Sequence, residues 1–99
     1  MIKNITILGA GESGFGAAML AHQKGHNVFV SDISEIRKDI KSIFVKNSIK
    51  FEEKDHSFDK IKFSDLIIKS PGIPDTSIII SKIKSFDIPI ISEIEFASS

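Results

Sequence analysis

The sequence predicts an α/β domain, a Rossmann-like open parallel sheet of about five strands with helices on both faces. Three observations carry that expectation. Short apolar runs of the kind buried on both faces recur at Ile5-Thr6-Ile7-Leu8, Val28-Phe29-Val30, Leu66-Ile67-Ile68 and Ile88 to Ile91. Stretches with helical patterning separate them. A glycine-rich turn, Gly9-x-Gly11-x-x-Gly14, leads from the first run into the first helix. Strands that alternate with helices pair in parallel through right-handed crossovers.

Each element has its own signal. Phe15 to Lys24 is rich in small and apolar residues, the mark of a helix lying close on a sheet, and Lys24-Gly25 supplies a cationic last turn and a glycine stop. The second strand ends at Ser31-Asp32. Ile36, Ile40, Ile43 and Phe44 fall at helical spacing and predict an amphipathic helix over 35–46. Residues 48–63 are polar with scattered Ile and Phe and read as one short strand plus loop. After the strand at 66–68 comes Ser70-Pro71-Gly72, where a type II turn would give Gly72 a positive φ. Asp75-Thr76-Ser77 offers caps for a helix running to about Ser85. Pro89 is tolerable near a strand start or on an edge. Glu93 to Ser99 reads as the opening of a further element.

Composition narrows the function classes. A 99-residue chain hides about two thirds of its unfolded surface, which allows one modest core. Hydrophobic residues at 41% and charged residues at 26% are ordinary globular values. Thirteen basic residues balance thirteen acidic ones, so there is no electrostatic footprint for nucleic acid or an anionic membrane. The absence of cysteine excludes disulfides, thiolate nucleophiles and Cys-type zinc sites. No apolar run approaches the ~20 residues of a membrane span. Met1 to Asn4 leads directly into a strand, so no signal peptide is expected and the expected location is cytoplasmic. The chain holds 20 isoleucines against three leucines, and 12 lysines against one arginine; AT-rich coding explains both without reference to function.

The glycine turn carries the chemistry. In the strand-to-helix context Gly9 permits a tight turn, Gly11 lets backbone approach a phosphate, and Gly14 lets the helix sit close on the strands. Free N–H groups and the dipole at the helix start then favour an anion. The bland alternative is a turn that only joins strand to helix. Asp32, 18 residues beyond Gly14, stands where an acid accepts ribose hydroxyls in dinucleotide folds. It could instead cap the next helix, but Ser34 is available for that role, which leaves Asp32 free for a ligand. His22, His26 and His56 share no ligand spacing and are expected at the surface, so no metal site is expected. Glu52-Glu53 and Glu93 with Glu95 are expected to be solvated. No Walker-type phosphate loop and no nucleophile context occur, so the chain carries a binding site without catalytic residues.

Taken together, ILGAGESGFG, VSD, IKSPGIP and IISEIEF resemble the N-terminal domain of the Mur ligases of peptidoglycan synthesis, on the branch that adds D-glutamate. The resemblance covers about residues 3–97 and is weakest between 45 and 63. It implies a single nucleotide-binding domain, 1–99, truncated from a three-domain ligase. That domain would hold the UDP moiety of UDP-N-acetylmuramoyl-L-alanine, while missing domains in cis would bind ATP with Mg2+ and D-glutamate. By the same resemblance Gly11, Glu12, Ser13 and Gly14 meet the diphosphate, Asp32 and Ile33 lie at the uridine, and Gly72 approaches the nucleoside. Glu12 replaces a position often apolar in the family. A carboxylate ~4 Å from diphosphate is repelled by about 1 kcal/mol even in water, so its side chain is expected to point to solvent. Ile33 and Ser34 stand where polar or basic residues are frequent, and contacts through the Ile33 N–H survive that change. The competing readings are an NAD-binding module of a dehydrogenase or a nucleotide-sensing regulator, and a scaffold without ligand. The first gives no reason for S-P-G-I or the E-I-E-F segment, and the scaffold leaves the bare glycines unexplained.

Overall fold

Alternation of apolar residues along the strands decides how the chain is layered. A computed structural model describes residues 1–99. Its elements run β1 (Asn4–Leu8), α1 (Glu12–Gln23), β2 (Asn27–Ser31), α2 (Lys38–Lys46), β3 (Lys50–Glu52), α3 (Phe58–Ile61), β4 (Leu66–Lys69), α4 (Ile78–Ser85), β5 (Ile90–Ser92) and α5 (Glu93–Ser98). The strands form one sheet in the order β3-β2-β1-β4-β5, and every neighbouring pair is parallel. Ile5 stands opposite Val28 on one side and Leu66 on the other.

Two cores result, one on each face. Ile5, Ile7, Val30 and Ile68 point toward Ala17, Ala18 and Ala21 of α1, Ile40 and Phe44 of α2, and Phe96 of α5. Leu8 and Ile67 point the other way, onto Ile61 of α3 and Ile79, Ile80 and Ile83 of α4. Each buried Ile or Leu contributes roughly 1.5–3 kcal/mol. Phe44 is fully buried, with its ring centroid 5.9 Å from Phe15 and 5.8 Å from Phe51. Thr6 and Ser31 are the buried polar residues, and each hydroxyl has a partner; that of Thr6 is the Ser64 hydroxyl at 2.5 Å. No helix is long and apolar enough to cross a membrane.

Several boundaries differ from expectation for identifiable reasons. Helix α1 starts at Glu12, inside the glycine motif, rather than at Phe15. It ends as expected: the N–H groups of Gly25 and His26 donate to the carbonyls of His22 and Ala21, and Gly25 takes φ +85°. Helix α2 starts at Lys38 rather than 35, because the Glu53 carboxylate accepts the Ile36 N–H at 2.9 Å and holds 34–37 as loop. Ile36 is still buried, whereas Ile43 is 36% exposed. Neither Asp32 nor Ser34 caps α2; Arg37 occupies that position. The stretch expected as strand plus loop also contains the single turn α3. Pro89 lies just ahead of edge strand β5, and its carbonyl accepts the Ile67 N–H at 2.9 Å. The 93–99 segment is α5, started by a capping box between Ser92 and Glu95.

Two glycines of α1 have opposite surroundings. A Cβ on Gly14 would stand 1.7 Å from the Gly9 carbonyl oxygen, which is backbone and cannot yield, while a Cβ on exposed Gly16 would meet nothing. Gly14→Ala should therefore cost about 1–3 kcal/mol, lowering Tm by roughly 5–20 °C. Gly16→Ala should stabilise by about 0.5–1 kcal/mol. Urea and thermal unfolding of the two variants check the opposite signs.

Candidate functional site

The first N–H groups of a helix have no intrahelical acceptor, so a side chain, water or ligand must supply one. At α1 the N-cap is Gly11, which has no side chain to offer. A Cβ at Gly11 would meet nothing within 4 Å, so the space in front of the helix start is open. Gly9 carries φ +96°, and a Cβ there would stand 2.7 Å from the Ser70 Cβ. The loop after β1 and the loop after β4 thus pass in contact. Between β1 and β4 the strand order reverses, which is where open parallel sheets bind ligands, outside the carboxyl ends of the strands.

Side chains fix both loops. Asp32 Oδ2 accepts the Ala10 N–H at 2.7 Å and Oδ1 accepts the Ser34 N–H at 2.8 Å. The acid therefore faces the glycine turn and braces it, and two carboxylate oxygens retain spare lone pairs beyond these bonds. Lys69 was not singled out in the sequence. Its half-buried ammonium donates to the Ile73 carbonyl at 2.7 Å, touches the Ser70 carbonyl at 3.3 Å, and lies 3.6 Å from the Asp75 carboxylate. The Ser70–Ile73 turn is closed by the Ile73 N–H on the Ser70 carbonyl at 3.2 Å. Gly72 does not adopt positive φ, so the turn is not type II. Its glycine leaves open space instead, since a Cβ there would meet nothing.

A groove of about 430 Å³ opens beside this turn. Ile33, Asp55, His56, Gly72, Ser77 and Lys82 are among its lining residues. Ile33 is exposed, and its side chain lines the groove. Glu12 and Ser13 stand exposed at the start of α1, with the Glu12 side chain 92% exposed and 3.8 Å from Arg37. The structure therefore brings Ile33 and Gly72 to one groove and Gly11 to Gly14 to one helix start, with Asp32 holding the glycine turn.

Against known families, the model of the MurD N-terminal domain matches residues 4–78. The chain belongs to the MurD N-terminal domain family. It is 50% identical over 97% of its length to the UDP-N-acetylmuramoylalanine–D-glutamate ligase of Bacteroides thetaiotaomicron, and 46% identical over 99% to that of Christiangramia forsetii. It spans 22% of the length of each of these relatives. Among solved structures it is similar to a pseudomurein peptide ligase type C from Methanothermus fervidus, with TM-score 0.86 and 26% identity over 98% of this chain and 20% of that one.

In this MurD N-terminal domain three acids and a histidine depart from the surface roles expected of them. The Glu52 side chain is only 10% exposed. Its Oε2 accepts from the Ser31 hydroxyl at 2.7 Å and the Ser57 N–H at 2.8 Å. Burial opposes its ionisation, yet the hydrogen bonds from Ser57 and Ser31 and the nearby Lys60 ammonium outweigh burial and hold its pKa below the usual glutamate value. Glu53 is likewise held low, by the Ile36 N–H and by Lys41 at 3.1 Å. Glu93 keeps one carboxylate oxygen buried without a hydrogen-bond partner, whereas Glu95 is exposed, as expected, and accepts the Ser92 N–H. His56 is half-buried against Ser31, its Nδ1 2.7 Å from Oγ. Burial lowers its pKa despite the carboxylates of Asp32, Glu52 and Asp55. No local pattern marks His56, because Ser31 lies 25 residues away across the β2–β3 crossover.

Because the folded state disfavours protonated His56, the unfolded chain takes up the proton first. The stability linked to it is full above about pH 6.5 and is lost as pH falls through the lowered folded value. Urea midpoints should decline between pH 7 and pH 5, and His56→Gln should flatten that interval. A second loss should begin below about pH 4.5, as Glu52 and Glu53 protonate, and persist in the variant.

Proposed function

We propose that this chain binds the UDP moiety of UDP-N-acetylmuramoyl-L-alanine, as the first domain of an ATP-dependent cytoplasmic ligase that adds D-glutamate in peptidoglycan synthesis. The uncapped start of α1 facing open space at Gly11 carries the reading. A diphosphate placed there accepts from the N–H groups of Glu12, Ser13 and Gly14. Each such bond to a charged group is worth about 1.5–3 kcal/mol, and the helix dipole adds to it. Ser13 adds a hydroxyl. Glu12 contributes its N–H alone, with its carboxylate turned to solvent near Arg37.

The nucleoside then lies along the groove toward Gly72, where absence of a side chain lets ring or ribose approach backbone. Ile33 supplies apolar contact and its N–H. Asp32 offers its spare lone pairs to ribose hydroxyls while it keeps the turn in shape through Ala10. The relatives named above are ligases acting on a UDP-linked muramoyl substrate, which supports uridine over nicotinamide dinucleotide. This chain holds no Walker-type loop; ATP and Mg2+ would be bound by a further domain, and these 99 residues alone would not turn over substrate.

Calorimetric titration with UDP-N-acetylmuramoyl-L-alanine, UDP and NADH should give heat with both uridine ligands and none with NADH. Binding of NADH without response to either uridine ligand would overturn the reading. Gly11→Ala should weaken UDP binding about tenfold, because a methyl group enters the space in front of the amides, while changing folding stability by less than about 1 kcal/mol. Asp32→Ala should lose UDP affinity as well, since it releases the Ala10 N–H.

A further inference from the structure

Three residues other than glycine take positive φ, and two of them have a local reason. Ser48 and Asp87 follow the ends of α2 and α4, where a left-handed residue lets the last turn close. The Ile49 N–H donates to the Phe44 carbonyl at 2.9 Å, and the Ile88 N–H to that of Ile83 at 3.5 Å. Lys54, at φ +63°, ends no helix. A residue with a Cβ stays in that region only where its surroundings hold it there, and such residues gather at ligand clamps. Lys54 is held by the loop after β2: its N–H donates to the Ser34 carbonyl at 3.1 Å.

The 52–55 segment grips that loop along its length. The Asp32 N–H donates to the Glu52 carbonyl at 3.2 Å, and the Asp55 N–H to the Asp32 carbonyl at 3.3 Å. Glu53 Oε1 accepts the Ile36 N–H at 2.9 Å, while Oε2 is held by the Lys41 ammonium at 3.1 Å. The two side chains of that ion pair are only 27% and 23% exposed, so water does little to loosen the carboxylate. Residues 32–37 belong to no helix or strand, and ladder bonds do not fix them. Their shape depends on the neighbouring turn, and Glu53 is the side chain through which that turn reaches farthest along the loop.

We propose that Glu53 is a positioning residue for the nucleotide: through the Ile36 N–H it holds the loop that carries Asp32 and Ile33 in its binding shape before the ligand arrives. The inference rests on the proposed binding of a uridine nucleotide and deepens it. Glu53 itself does not line the groove, so it acts on the ligand only through the loop. A loop that is mobile in the free chain must be fixed by the ligand, and the cost of ordering it is subtracted from affinity. Here the fold carries that cost in advance. The strain at Lys54 is offset by the bond it brings to Ser34 and, one residue earlier, by the bond from Ile36 to Glu53.

The test uses UDP on the full chain, with affinity read by amide chemical-shift titration and stability by urea unfolding. Glu53→Ala should weaken UDP binding about fivefold, the cost of ordering a released loop. Glu53→Gln keeps an oxygen for the Ile36 N–H and should bind UDP within about twofold of the unsubstituted chain. Ile83→Val, which removes one methyl group from the core under α4, should lower the urea midpoint without changing UDP affinity, as a merely structural loss does. Adding Lys54→Gly to Glu53→Ala should raise the midpoint again, since glycine takes positive φ freely, and should leave affinity weakened. Should Glu53→Ala alone fail to fold, this double variant supplies the affinity. In the free chain the Ile36 amide hydrogen should exchange faster in Glu53→Ala than in Glu53→Gln. Unchanged UDP affinity without the Glu53 carboxylate, equal weakening in Glu53→Gln, or affinity that returns with stability in the double variant would each overturn the inference while leaving uridine diphosphate binding intact. Failure of the unsubstituted chain to bind UDP would overturn the function proposed above and this inference with it.

Discussion

Helix α1 rests on the carbonyl oxygen of Gly9, and the distance allowed there is set by the missing side chain of Gly14. Everything at the carboxyl end of the sheet depends on that contact. It brings the start of α1 down to the turn, so that the N–H groups of its first residues emerge beside Gly11. Gly9 in turn lies against Ser70, with no room for a Cβ between them, so the loop after β4 is located by the same contact. The alanine face of α1 continues the principle along its length. Ala17, Ala18 and Ala21 are buried because a helix this close to the sheet leaves no volume for larger residues.

The two faces of the sheet end differently, and the site exploits the difference. Along β2, Val28 and Val30 serve the core under α1, while Phe29 serves the core under α3 and α4. Period-two alternation carries this past the strand end. Ser31 is buried on the α3 side among Glu52 and His56, and Asp32 turns to the glycine loop on the other. One dipeptide thus braces the glycine turn and anchors the imidazole of His56 at the groove. A buried hydroxyl with partners on every side costs little, whereas the same hydroxyl orphaned would cost about 1–3 kcal/mol.

The parallel sheet, the glycine turn and the helix end at Gly25 were legible because each is written locally. A short apolar run, three spaced glycines and a Lys-Gly stop impose their geometry within one turn or one strand. The helix start at Lys38 was not legible: it depends on Glu53 reaching the Ile36 N–H across 17 residues. Glu52 looked solvated for the same reason, since its donors come from Ser31 and Ser57, and only the crossover brings them together. His56 was passed over because it has no ligand spacing, and its partner Ser31 lies 25 residues away in the chain. Gly72 was read correctly as a place without a side chain and incorrectly as a left-handed residue. Openness and positive φ are separate reasons for a glycine, and a sequence does not distinguish them.

The outermost strands are the shortest. β3 and β5 each run three residues, against five for β1 and β2 at the centre. Unsatisfied backbone along a sheet margin invites a foreign strand to add itself, and the invitation scales with the length of straight margin on offer. Three residues give little purchase, and exposed Lys50 places charge on β3. An isoleucine-rich sequence with high strand propensity is thereby kept from polymerising through its own margins.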